Sequence, residues 1–112
     1  MFNFCKEMIL TGKAEEEFFN WLDNQGVNGI DISNWEFEKF QLLSNVSQNA
    51  LIIEWFDSVG IYINIENLYY QSWWSYKVKI IPNIFEEKVM VKTRQEATEK
   101  AIKKANEIYN SN

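Results

Sequence analysis

Residues 93–110 read TRQEATEKAIKKANEIYN, and they predict the element around which the rest of the fold is built. Thr93 is placed to cap the start of a helix, and Glu96, three residues later, completes a capping-box pattern. At 100° per residue the small and apolar side chains fall on one stripe, with charged side chains opposite. That stripe consists of Ala97, Ala101, Ile102, Ala105, Ile108 and Tyr109. Its alanines indicate close approach to a sheet or another helix.

Three segments before this helix alternate between apolar and polar residues, the pattern of half-buried strands. They cover 61–66, 74–80 and 88–92, and Pro82 and Asn83 mark a turn between the second and the third. Alternation of this kind predicts an antiparallel sheet with one face under the helices. It also puts Trp74 on the core face and Trp73 on the other.

Two more helices are predicted earlier in the chain, over 12–24 and 48–59. Acidic residues occupy the first turns of the earlier helix, where the helix dipole favours them. In the later helix, Ser47 is the expected cap and Gly60 the expected left-handed residue at the end. A buried strand through 50–53 is the rival interpretation, and the helix is favoured. Residues 27–46 carry conflicting helix and strand signals and receive no assignment.

The fold class that follows is α+β, with a small three-stranded antiparallel sheet covered on one face by helices. The order is helix, uncertain segment, helix, three strands, helix. A length of 112 residues predicts a single domain over 1–112. An apolar content of 46%, rich in aromatic rings, is enough for a core without a disulfide or a metal.

The residues that usually carry catalysis are scarce. The chain has no histidine, one cysteine (Cys5) and four glycines that match no phosphate-binding loop. Acid pairs remain, such as Glu54 and Asp57, but a solvated helix face explains them better than a site. We therefore expect no enzymatic activity, no cofactor and no metal, and we expect Cys5 to be inert.

Net charge and cysteine content indicate the cellular location and the kinds of partner. The net charge is −5, with −8 in residues 1–70 and +3 in residues 71–112. An acidic total argues against general nucleic-acid affinity, because neutralised phosphates supply most of such binding. A lone cysteine and the lack of a bilayer-length apolar run predict a cytoplasmic protein with no membrane partner.

Three surfaces are candidates for binding. The aromatic cluster Tyr69, Tyr70 and Trp73 is suited to a protein interface. A lysine-bearing sheet face is the nucleic-acid alternative and consists of Lys77, Lys79, Lys88 and Lys92. The acidic first 70 residues support a third hypothesis, that the chain is an inhibitor that imitates nucleic acid and blocks a host defence system. Homo-oligomer formation is a further option.

Two stretches carry a family resemblance: WFDSVGIYI over 55–63, and the closing helix with its TRQEA start. Across about 47–110 the chain resembles small phage- and prophage-encoded proteins of unknown function from low-GC bacteria. The resemblance implies a phage or prophage origin, and therefore a bacterial host cell, and it brings no catalytic residue with it. The predicted function is a non-enzymatic protein-interaction module of phage or prophage origin.

Overall fold

The computed structural model describes residues 9–25, 40–67, 73–80 and 82–111, with only the backbone at 23, 25 and 86–89. Three helices and three strands have complete bounds within this part, and their order confirms the α+β prediction. They are α1 (Gly12–Gln25), α2 (Asn45–Ser58), β1 (Tyr62–Asn67), β2 (Trp74–Ile80), β3 (Asn83–Val91) and α3 (Arg94–Asn110). No helix in these ranges is both long and apolar enough to cross a membrane.

The sheet is antiparallel in the order β1-β2-β3, as predicted. The predicted start of the third strand, at residue 88, is wrong, because β3 begins at Asn83. The turn at Pro82 sets Asn83 opposite Ile80, so that the residues after it pair with β2 at once. Glu86 and Glu87 disfavour a strand by composition, but the hairpin register includes them.

The core lies between the sheet and the helices. Ala97, Ala101 and Ala105 of α3 are fully buried, and the small side chains let this helix lie close to β2. On the other side of the core, Phe18 of α1 makes edge contacts with the rings of Phe40 and Trp55. The predicted stripe of the last helix is confirmed, since Ile102 is also fully buried and Ile108 and Tyr109 are partly buried against the core.

Helix α2 settles the ambiguity at 50–53 in favour of a helix. It begins at Asn45, and Ser44 caps it by accepting a hydrogen bond from the Ser47 N–H at 3.2 Å. The prediction that Ser47 is the cap is wrong by three residues, because Ser47 donates to the true cap. Gly60 ends the segment at φ 86°, as predicted. Of the unassigned segment, residues 40–42 are helical and 27–39 lie outside the described part.

Helix α3 is capped at its start by Thr93, whose hydroxyl accepts from the Glu96 N–H at 3.0 Å. The Glu96 carboxylate accepts in turn from the Lys92 N–H at 3.3 Å, one residue before the position that a capping box prescribes. The predicted cap is confirmed, and its reciprocal bond is displaced by one residue.

The end of α3 is tied to the start of α1 by two asparagines. The Asn106 Oδ1 accepts from the Thr11 N–H at 3.0 Å, and the Asn110 Oδ1 accepts from the Ala14 N–H at 2.8 Å. Asn106 and Asn110 also donate, to the Thr11 hydroxyl and the Thr11 carbonyl. We call these four residues the α1–α3 clasp. It satisfies N–H groups that a helix start leaves without intrahelical acceptors.

Candidate functional site

The predicted aromatic patch is described only in part, because Tyr69 and Tyr70 lie outside the described residues. Trp73 is half-buried just before β2. The Lys92 ammonium lies 6.0 Å from the centroid of the Trp73 ring, at the outer range of a cation–π contact. The patch as a whole stays a prediction.

The predicted lysine set does not form one basic surface among the described side chains. Lys77 and Lys79 lie on the face of the sheet turned away from the helices, but the Lys77 Nζ is 3.5 Å from a Glu66 carboxylate oxygen. Lys79 is exposed. Lys92 lies beyond the end of β3, at the Trp73 ring, and the Lys88 side chain is outside the described part. The set divides between an ion pair, an aromatic contact and an exposed position.

The outward face of the sheet also exposes large apolar side chains. We call it the open face and define it by Tyr62, Asn64, Glu66, Lys77, Lys79 and Ile84. The register places Tyr62, Lys79 and Ile84 side by side in one row across all three strands. Tyr62 is 44% exposed and Ile84 59% exposed, whereas Val78 on the opposite face is fully buried. Sequence alternation predicted the lysines here but not Ile84, because the predicted third strand started after it.

A concave surface lies between α2 and the first turns of α3. It is partly open to solvent and has a volume of about 340 Å³. We call it the helix groove, and its lining residues are Val46, Asn49, Ala50, Ile53, Arg94, Gln95 and Thr98. Val46, Ala50 and Ile53 are spaced i, i+4 and i+7, which places them on one stripe of α2. Val46 is 70% exposed, so an apolar side chain stands open at this groove.

Asn49 is the unusual residue of the helix groove. Only 5% of it is exposed, yet its side-chain amide forms no hydrogen bond within the ranges that the structure describes. A buried polar group without a partner costs about 1–3 kcal/mol relative to the paired state. Asn49 shares the buried stripe of α2 with Ile52, Trp55 and Phe56. The sequence places this polar residue in line with the apolar residues of the stripe, which could have indicated its burial. The predicted helix began at residue 48, so Asn49 stood at its very start and was not assigned to the stripe.

We call the α3 end of the groove its electropositive end, because Arg94 is the one charged residue among the lining residues. The first N–H groups of a helix have no intrahelical acceptor and carry partial positive charge. Arg94 adds a full charge there, with its guanidinium carbon 5.5 Å from the centroid of the Trp74 ring. The acids of this turn keep their negative charge, but Glu96 and Glu99 are not among the lining residues of the groove. Glu99 accepts a hydrogen bond from the Gln95 amide at 3.2 Å, and Glu96 accepts one from the Lys92 N–H.

Metal-binding side chains do not converge in the described ranges. No group of three histidine, cysteine, aspartate or glutamate side chains there could hold a metal ion. Glu54 and Asp57 are one turn apart on α2, and the pKa of Asp57 is raised by partial burial and by the charge of Glu54. Asp57 is exposed to solvent, which fits the solvated helix face that the sequence suggested.

No protein-family model, curated protein or solved structure matches the chain.

Proposed function

We propose that this chain is a non-enzymatic protein-interaction module that binds its partner through the open face. The observation that carries the proposal is the row of Tyr62, Lys79 and Ile84, in which two large apolar side chains are exposed on either side of one lysine. Isolated exposed apolar residues are ordinary, but grouped ones on a regular surface are typical of binding sites.

The chemistry of this row indicates the partner. A tyrosine ring and a branched aliphatic side chain supply contact area at small entropic cost. Lys79 forms no ion pair within the described part, so a partner acid is its natural counter-charge. The fitting partner is therefore a protein surface with an apolar centre and an acidic side chain at its rim.

Nucleic acid fits the open face less well. Phosphate binding needs several free cations, and Lys77 is already paired with Glu66. The register also sets Glu86 opposite Lys77, and the chain as a whole carries −5. The acidic-inhibitor alternative, the phage origin and the cytoplasmic setting stay predictions.

The test compares capture by matched variants in lysates of low-GC bacteria, with and without nuclease treatment. Tagged wild-type chain, Ile84→Asp, Tyr62→Ala and a control, Val59→Asp, are used side by side with quantitative mass spectrometry. Val59 is also a partly exposed apolar residue, at the end of α2 and outside the strands of the sheet. We expect a protein whose recovery falls about tenfold with Ile84→Asp and Tyr62→Ala but not with the control.

The proposal is rejected if every captured protein is recovered equally with all four chains, since binding would then not involve the open face. Loss of capture on nuclease treatment would instead favour the nucleic-acid alternative. Circular dichroism of each variant establishes that the comparison is made between folded chains.

A further inference from the structure

We propose that the helix groove is a second binding site, for an extended peptide in which a large apolar side chain is followed by an acidic residue. The inference is independent of the open face and rests on three features of the groove: a buried amide, an apolar floor and an electropositive end.

The buried amide of Asn49 selects a peptide. A carboxamide presents an acceptor oxygen and a donor NH₂ side by side. The main chain of an extended peptide presents the complementary pair, an N–H donor and a C=O acceptor. Since Asn49 is 5% exposed and without a partner in the described ranges, a peptide segment in the groove would give it both bonds.

The apolar floor sets the size of the ligand. Val46, Ala50 and Ile53 line the groove on the α2 side, and about 340 Å³ lies above them. That volume is near the lower limit for ligand pockets, which span roughly 300–1,000 Å³. It accommodates one large aliphatic or aromatic side chain with its adjoining main chain, rather than a folded domain or a long helix.

The electropositive end determines which charge is favoured in the peptide, at the residue that follows the apolar side chain. Arg94 is exposed, and the Trp74 ring holds its guanidinium at the start of α3. A planar guanidinium over an aromatic ring keeps its N–H edge free for a carboxylate. The helix dipole acts in the same direction. An acidic residue next to the apolar anchor is therefore favoured over a neutral or basic one.

The direct test is a nuclear magnetic resonance titration of the ¹⁵N-labelled full chain. The probes are acetylated and amidated hexapeptides with Leu, Ile, Met or Phe at the third position, followed by Glu in one set and Gln in the other. We expect shifts of the Asn49 side-chain NH₂ signals, and about tenfold tighter binding of the Glu set, as a charge-assisted hydrogen bond provides.

Three variants divide the proposal into its parts. Asn49→Leu should weaken binding by tenfold or more while the spectrum stays folded, and Arg94→Gln should remove the preference for the Glu set. Asn64→Leu is the matched control, because Asn64 is exposed on the open face, and its affinity should equal that of the wild type. Ile84→Asp should also leave this binding unchanged, which separates the groove from the proposed function.

Other results would overturn the inference. If no peptide moves the Asn49 signals at millimolar concentration, the groove is not a peptide-binding site. If octanoate binds as tightly as the best peptide, the groove recognises an apolar carboxylate and not a main chain. Equal affinity for the Glu and Gln sets, or unchanged affinity of Asn49→Leu, would remove the acid and the amide from the proposed contact.

Discussion

The two ends of α3 differ in the hydrogen bonding of the buried asparagine that lies there. At the C-terminal end, Asn106 is 8% exposed and bonds to both the N–H and the hydroxyl of Thr11. Near the N-terminal end, Asn49 of the adjoining α2 is 5% exposed and lacks a partner among the described residues. A paired amide fixes one element against another, whereas an unpaired one keeps its hydrogen-bonding capacity for a ligand. The first end is built for stability and the second for binding.

The largest effect is expected from breaking the clasp at Asn106. Asn106→Ala removes both hydrogen bonds to Thr11. The Thr11 N–H then loses its acceptor in a partly buried site. We expect the free energy of unfolding to fall by about 2–3 kcal/mol. Urea unfolding followed by tryptophan fluorescence measures it. A loss below about 0.5 kcal/mol would show that water replaces the clasp and that the two ends of α3 do not differ.

A second substitution tests how closely the clasp is fitted. Gly12 has φ 59°, and a Cβ there would come within 3.3 Å of the Asn110 Nδ2. Gly60 has φ 86°, with nothing within 4 Å of its Cβ position. Both Gly→Ala changes force a residue with a side chain into the left-handed region, at a cost of about 1–2 kcal/mol. Gly12→Ala should cost about 0.5–1 kcal/mol more than Gly60→Ala, because it also displaces the Asn110 amide.

Equal losses from the two glycine variants, measured by the same urea experiment, would mean that Asn110 shifts without cost. The clasp would then be held mainly by Asn106.

These two regions also show what the sequence could predict. Periodicity located α3, its cap and its buried alanines, because an amphipathic stripe is a local property of the chain. It did not locate the clasp, since Asn106 and Thr11 are 95 positions apart and nothing local pairs them. Asn49 was missed for a related reason: the pattern shows where a side chain is buried, but not whether its polar atoms find partners.

A smaller effect is expected at Tyr109, whose hydroxyl donates a hydrogen bond to the Glu17 carboxylate beside the clasp. Partial burial, the bond to Glu17 and the negative charge of Glu17 raise the pKa of Tyr109 from 10.0 to about 12. Because the pKa is higher in the folded state, this contribution to stability is complete below pH 10 and is lost as the pH rises through about 12.

Tyr109→Phe should therefore lower the free energy of unfolding by about 1 kcal/mol at neutral pH. The difference between wild type and variant should shrink between pH 10 and 12. Every other titratable group is common to both chains, so the difference isolates the tyrosine. A difference that stays constant up to pH 12 would show that the phenol adds packing and not the hydrogen bond.

The smallest effect, with the opposite sign, is expected at the groove. Asn49→Leu replaces a buried amide that has no partner among the described residues by an apolar side chain of similar size and better helix propensity. We therefore expect the free energy of unfolding to rise by about 0.5–1 kcal/mol. The same urea experiment measures this gain. A loss of stability would show that Asn49 already has a partner in the free protein, and the contrast between the two asparagines would vanish. A gain in stability together with lost peptide binding would mean that Asn49 lowers stability in order to bind a ligand.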